Sequence, residues 1–203
     1  HLHDAGTNCL LVEARPRLGG RSWTVKTDDG AAIDLGCGWL HSADHNPCAK
    51  IAEAQGKTVD KTTPPWQRPV LAVNFPPADQ QEFRRAMEAY YERQEAAAKK
   101  SPDIAASVAL EPGNRWNELI NAISTYISGA ELDRVSVYDL NRYRDSQVNW
   151  RILEGYGTSI AAHAGSAPVV LDCPVRSIDH SGRTLRIETA KGTITAEQAI
   201  VTV

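Results

Sequence analysis

The chain has 203 residues, 42% of them hydrophobic and 23% charged, and 22 basic against 25 acidic side chains leave a net charge of −3. These fractions exclude a disordered, collagenous or disulfide-miniprotein chain, and the mixed charge signs leave no electrostatic footprint for nucleic acid or an anionic membrane. The longest uncharged stretch, 155–171, is broken by glycines, His163 and Pro168 and does not read as a membrane span. The compartment stays open, with a soluble, cytoplasmic setting favoured, and the oligomeric state cannot be read.

Residues 1–6 read as the end of a helix closed by Gly6 in the left-handed conformation. An apolar run follows over 8–14, of the kind a buried parallel strand shows. After the flexible Leu18-Gly19-Gly20-Arg21 turn, 22–26 and 31–35 predict two strands joined through Asp28-Asp29-Gly30. Residues 47–54 have helical composition, ended by Gly56. A proline-rich passage (Pro64, Pro65, Pro69, Pro76, Pro77) leads into a charged helix over 79–100, with Phe83, Met87, Tyr90 and Tyr91 on one face. A second helix is predicted over 115–128, capped by Asn114 and ended by Gly129, with Trp116, Leu119, Ile120, Ile123 and Ile127 as its apolar stripe. Ser136-x-x-Asp139 predicts a capping box for a short third helix.

Strand character returns in the last part. A helix over 158–164 precedes a strand at 169–171, then a hairpin of 175–179 with 183–189 through His180-Ser181-Gly182, a turn at Gly192 and a final strand over 199–203. The order predicts an α/β domain interrupted by a helical one. A chain that begins in a helix end and stops inside an apolar strand is expected to be an internal piece of a larger protein.

Four cysteines (Cys9, Cys37, Cys48, Cys173) lie far apart without a C-x-x-C pair, and buried free thiols are expected. His41 and His45 have the i,i+4 spacing of a zinc pair on a helix, but Asn46-Pro47 follows at once and disfavours a helix there, so no metal is expected.

The chemistry gathers around Glu13. A carboxylate ending an apolar strand stands where a Rossmann-type sheet places the acid that holds a ribose hydroxyl pair, about 20 residues after a glycine-rich turn. Only twelve residues precede Glu13, so that turn would lie before His1. From the residues alone, a surface glutamate at a strand end remains open.

The wider window is more specific. Glu13-Ala14-Arg15-Pro16-Arg17-Leu18-Gly19-Gly20-Arg21 closely resembles the E-A-R-x-R-x-G-G-R segment of flavin-containing amine oxidases, the monoamine and polyamine oxidase family. Ile33-Asp34-Leu35-Gly36-Cys37-Gly38-Trp39-Leu40-His41 resembles the family's D-L-G-A-x-W-[IL]-H stretch, and Asn46-Pro47 its N-P. Gly155-Tyr156-Gly157, the strand over 171–178 and the run 196–203 resemble later family segments in the right order.

The resemblance implies an FAD-binding Rossmann-like domain of the glutathione-reductase type with a β-meander, interrupted by a helical part of a substrate-binding domain. Its divisions would be 1–56 and 151–203 for the FAD-binding domain, truncated at both ends, and 57–150 for the helical insertion. Glu13 would accept from the adenosine ribose, while Arg15 and Arg21 would sit near the ribose, diphosphate and flavin. Gly20, like Gly19, would admit the backbone close to the cofactor. Gly38 and Trp39, with Gly36, would run beside the flavin ring, and Val175 would meet the adenine through its backbone. Arg17 reads as a solvated surface arginine. His41 is nominated as a substrate-pocket residue and tilts the substrate toward di- or polyamines, although a loop histidine touching nothing is the alternative.

The implied reaction oxidises a C–H beside an amine nitrogen, with FAD taking the electrons and dioxygen reoxidising it to hydrogen peroxide. The imine is hydrolysed by water. No catalytic residue is nominated, because the family's lysine and aromatic substrate walls would lie beyond Val203. The isolated chain is therefore expected to be inactive. An L-amino-acid oxidase of the same fold and a non-catalytic remnant or interaction module are the rival readings.

Overall fold

A computed structural model describes residues 2–68, 74–100 and 102–202. In chain order the elements are β1 (Leu11–Val12), β2 (Thr24–Lys26), β3 (Ala32–Asp34), α1 (Pro47–Ala54), β4 (Val59–Asp60), α2 (Pro77–Ala98) and α3 (Asn117–Ser128). There follow α4 (Val137–Arg142), β5 (Arg151–Ile152), α5 (Tyr156–Ala162), β6 (Val169–Val170), β7 (Val175–Asp179), β8 (Leu185–Thr189) and β9 (Gly192–Ala196). The protein is α/β, and it divides into two compact units: His1–Pro65 with Ser146–Val203, and Trp66–Asp145.

The discontinuous unit carries its strands as four small sheets among the described residues, not as one broad sheet. β1 and β6 pair in parallel, β2 and β3 antiparallel, β4 and β5 antiparallel, and β7, β8 and β9 form an antiparallel meander. The predicted hairpins therefore form where their turn residues stand. The meander stacks Ile178, Ile187 and Ile194 side by side along its register, the cross-strand arrangement that stabilises a half-covered sheet. In α1, the Asn46 side chain accepts from the Cys48 N–H at 2.9 Å and Pro47 occupies the first turn, where a missing N–H costs nothing. The core here is Leu40, Ala43, Ala49, Ala52 and Ile152, and it is closed by the Leu40–Trp150 bridge, whose two backbone hydrogen bonds measure 2.8 and 3.1 Å.

The helical unit buries Ala86, Tyr90, Ala106, Ala109, Ile120 and Leu132, with Phe83, Met87 and Trp116 packed against them. Phe75, Phe83 and Trp116 form a tilted aromatic cluster with centroids 5.5–6.2 Å apart, within the favoured range for ring pairs. α4 starts at Ser136, whose Oγ accepts from the Asp139 N–H at 3.0 Å while donating to Asp103 at 2.6 Å. That is half of the predicted capping box; Asp103 also accepts from the Tyr138 N–H at 3.1 Å.

Several expectations change. The apolar run 8–14 pairs only at Leu11 and Val12, because its parallel partner β6 is itself two residues long; Leu10 and Leu11 are exposed, so this strand is not buried. The run 199–202 pairs with no strand among the described residues, and Ile200 and Val201 are exposed; Val203, like His1 and Pro69, lies outside them. Residues 2–6 form a single turn closed by the two hydrogen bonds of a Schellman motif, Gly6 N–H to His3 and Thr7 N–H to Leu2. Tyr91 and Ile127 stand off their predicted stripes and are exposed. Of the four free cysteines only Cys173 is buried, and Cys37 is exposed.

Candidate functional site

Glu13 follows β1 directly. Its N–H donates to the Val170 carbonyl and its own carbonyl accepts from the Cys173 N–H, both at 2.9 Å. The next loop bonds back in the same way, the Asp172 N–H donating to the Arg15 carbonyl at 3.0 Å. These ties bring Glu13 and Arg15 beside the segment that opens into Val175, which starts β7 and is exposed. The Glu13 carboxylate is held by the Arg15 N–H at 2.7 Å.

Nearby is a cleft of about 440 Å³ lined by Arg15, Arg17, Gly20, Arg21, Trp23, Leu35, Gly36 and Cys37. Its volume falls within the range of small-molecule sites. Among the described residues none of the three arginines is ion-paired, so three positive charges converge on one opening without a compensating acid. Arg17 is not the solvated arginine expected: it is half-buried with its guanidinium 4.7 Å from the centre of the Trp23 ring. This cation–π contact fixes its position, and the six-residue gap to Trp23 was the one signal that could have suggested it.

The walls are held by close backbone approach. A Cβ on Gly36 would stand 1.8 Å from the Arg21 carbonyl oxygen, and the Cys37 N–H donates to that same oxygen at 3.2 Å. Only a residue without a side chain lets β3's exit lie against the arginine loop. At Gly19 and Gly36 the close approach is therefore to the chain's own backbone. At Gly20, by contrast, nothing lies within 4 Å of the added carbon, and it borders the cleft.

Asp34, within the recognised stretch but unassigned from sequence, organises the far wall. Its carboxylate accepts from the Tyr156 and Gly157 N–H groups at 3.0 and 3.3 Å and from the Thr24 hydroxyl, while Thr24 Oγ1 accepts from the Thr158 N–H at 3.1 Å. The first N–H groups of α5 have no partner within their own helix, and a carboxylate there also meets the positive end of the helix dipole. No local signal reveals it, because 122 residues separate Asp34 from Tyr156. Burial, reinforced by a hydrogen bond with Cys48, pushes the Tyr156 phenol up from its ordinary pKa.

Gly38, Trp39 and His41 lie outside the cleft's border. A Cβ added to Gly38 would meet the Asp34 side chain at 3.4 Å, ordinary contact distance. Trp39 is half-buried with the Arg151 guanidinium 5.1 Å from its ring centre. His41 does touch a neighbour: Nδ1 lies 2.6 Å from Oδ1 of the buried Asn149. His45 instead pairs with exposed Asp44, and 41–45 is a turn, so the two histidines do not share a helix face. No group of three or more metal-ligating side chains forms among the described residues. No helix among them is long and apolar enough to cross a membrane.

Comparison with known proteins gives this arrangement its class. Over 97% of the chain it superposes on a variant of putrescine oxidase redesigned in cofactor binding, with a TM-score of 0.65 at 15% identity, and on a second variant at 0.59; it covers 52% of either structure. The fold is that of the matched half of putrescine oxidase. Residues 1–56, which contain the arginine loop, match the family described as flavin containing amine oxidoreductase. The whole chain aligns at 24% identity with human lysine-specific histone demethylase 2 and with mouse lysine-specific histone demethylase 1B, spanning 28% of each. A 35-residue stretch is 49% identical to pig amine oxidase [flavin-containing] B. These matches make the chain similar to the flavin-containing amine oxidases, whose cofactor is FAD, and it spans well under two thirds of the relatives it matches.

The residues present fit that group. A dinucleotide brings a diphosphate dianion, and the cleft is bordered by three guanidiniums that have no ion-pair partner among the described residues, beside a glycine with open space over its Cα.

Proposed function

We propose that this chain supplies the FAD-holding part of an oxidase that converts an amine to an imine and passes the electrons to dioxygen, releasing hydrogen peroxide and, after hydrolysis, an aldehyde and an amine. The observation that carries this reading is the cleft of three arginines without an ion-pair partner among the described residues, lying within the family-matched segment 1–56.

In this reading β1 and β6 are the parallel pair of a Rossmann-like domain made of 1–56 and 151–203, and 57–150 belongs to a substrate domain. Glu13 accepts from the ribose hydroxyls with the oxygen that the Arg15 N–H leaves available. Arg15 and Arg21 neutralise the diphosphate, Gly20 admits it to the backbone, Gly38 and Trp39 flank the ring system, and Val175 presents backbone groups to the adenine. His41 contacts the amine. When bound, the flavin supplies the electron-accepting chemistry; the chain's own residues bind it, orient it and screen its charge. The amine reacts as the neutral base, which burial in the completed pocket favours.

A di- or polyamine is the substrate class that His41 points to. A methylated lysine side chain is the second reading, favoured by the full-length alignment with the two histone demethylases. Protein expressed from the complete reading frame and offered putrescine, spermidine, spermine and a dimethyl-lysine peptide should produce peroxide with one of them. Absence of amine-dependent peroxide from flavin-loaded protein would refute the oxidase reading. The 203-residue chain alone should bind flavin weakly and turn over none of them.

A further inference from the structure

We infer that Asn149 is a positioning residue that fixes the tautomer of His41, so that the neutral imidazole carries its proton on Nδ1 and offers the Nε2 lone pair to an N–H donor such as an amine. The inference rests on the proposed role of His41 only for the identity of that donor.

Hydrogen-bond inventory carries the argument. The Asn149 amide nitrogen donates to the Gln147 carbonyl at 3.0 Å, and a carbonyl oxygen can only accept. The side-chain NH₂ is thereby committed, and Oδ1 is the atom left facing His41 at 2.6 Å. That oxygen is also purely an acceptor, so at this distance Nδ1 must bear hydrogen; two lone pairs would repel. In the neutral ring the second nitrogen is then unprotonated.

The support behind Asn149 is rigid. The residue is only 5% exposed, whereas His41 is exposed. Gln147, which holds the amide, has a φ of +62°, a left-handed conformation that non-glycine residues seldom adopt unless the surroundings impose it. On either side of the histidine, Leu40 and Trp150 exchange backbone hydrogen bonds and the Ala43 N–H donates to Val148 at 2.8 Å. A buried acceptor on one segment thus meets an exposed ring on the other, across 108 residues of sequence. A histidine held by one edge against a buried amide has a defined free edge, which a solvated loop histidine lacks.

The test is nitrogen-15 NMR of the His41 ring in the chain, at a pH where the imidazole is neutral. The expected result is protonated Nδ1 and unprotonated Nε2 in the wild type, with Asn149→Leu shifting the ring toward the Nε2–H tautomer that free histidine prefers. A wild-type ring with Nε2–H, or an N149L ring with an unchanged tautomer, overturns the inference. If N149L does not fold, the wild-type tautomer decides by itself. Titrating a polyamine into flavin-loaded protein separates the two claims. Movement of the Nε2 resonance supports both. A correct tautomer with an unmoved Nε2 upholds the positioning role and removes His41 from the substrate site.

Discussion

The two units solve the same packing problem by different means. In the helical unit, Trp66–Asp145, order comes from apolar side chains recurring at helical spacing and closing on an aromatic cluster. In the discontinuous unit the part bearing the arginine cleft holds few large buried side chains. Its loops are fixed by backbone-to-backbone contact and by carboxylates that accept from backbone N–H groups. The first kind of order tolerates exchange of one apolar residue for another of similar volume. The second does not, because a carbonyl at contact distance cannot yield to a new methyl group. That contrast explains why the cleft-bearing segment is written in glycines and short charged motifs, and why a family resemblance is concentrated there.

The comparison can be broken most sharply at Gly36. Gly36→Ala places a carbon 1.8 Å from the Arg21 carbonyl and should lower the stability of the discontinuous unit by about 3 kcal/mol or more, read from the denaturation midpoint. Gly20→Ala meets nothing within 4 Å and should cost only about 1 kcal/mol for its positive φ. Equal losses at the two positions would contradict the backbone-contact explanation.

The next largest effect belongs to the other unit. Ile120→Ala removes a side chain that is 3% exposed and should cost about 2–5 kcal/mol, with loss of hydrogen-exchange protection across α2 and α3. Ile120→Leu, which keeps the volume, should cost less than about 1.5 kcal/mol.

Asp34→Ala strips α5 of the carboxylate at its first N–H groups and should cost about 2 kcal/mol, with exchange of the Tyr156 and Gly157 amides accelerated before any others. Unchanged exchange at those two amides would contradict the carboxylate's hold on α5.

The smallest change has the opposite sign. Tyr90 is 3% exposed, burial pushes its phenol up to about 12, and its hydroxyl has no hydrogen-bond partner among the described residues. Tyr90→Phe should therefore leave thermal stability unchanged or raise it by up to about 1 kcal/mol.

The same contrast governs what could be read from sequence. Some helix ends were legible because they are local: Pro47 opens α1, Gly129 with a φ of +72° ends α3, and Ser136 caps α4, whereas α3 starts at Asn117, past the predicted Asn114 cap, with no side-chain cap. The Asp28-Asp29-Gly30 turn and the Gly192 turn gave hairpins for equally local reasons. The extent of β1 was not legible, since its length depends on what β6, more than 150 residues later, offers as a partner. Arg15, Gly20 and Arg21 were found through a motif and do share one cleft, whereas Gly38, Trp39, His41 and Val175 lie beyond its border. The Asp34 grip on α5 and the Asn149 contact with His41 join residues over 100 positions apart and leave no periodic or spacing signal.

The central claim is that the arginine cleft holds the anionic part of FAD, and flavin retention tests it most directly. Protein expressed from the complete reading frame should emerge from gel filtration with flavin absorbance, and the Arg15→Ala, Arg21→Ala double substitution should elute folded but largely colourless. Wild-type protein free of flavin after reconstitution, or a double variant that keeps the wild-type flavin content, would contradict the claim.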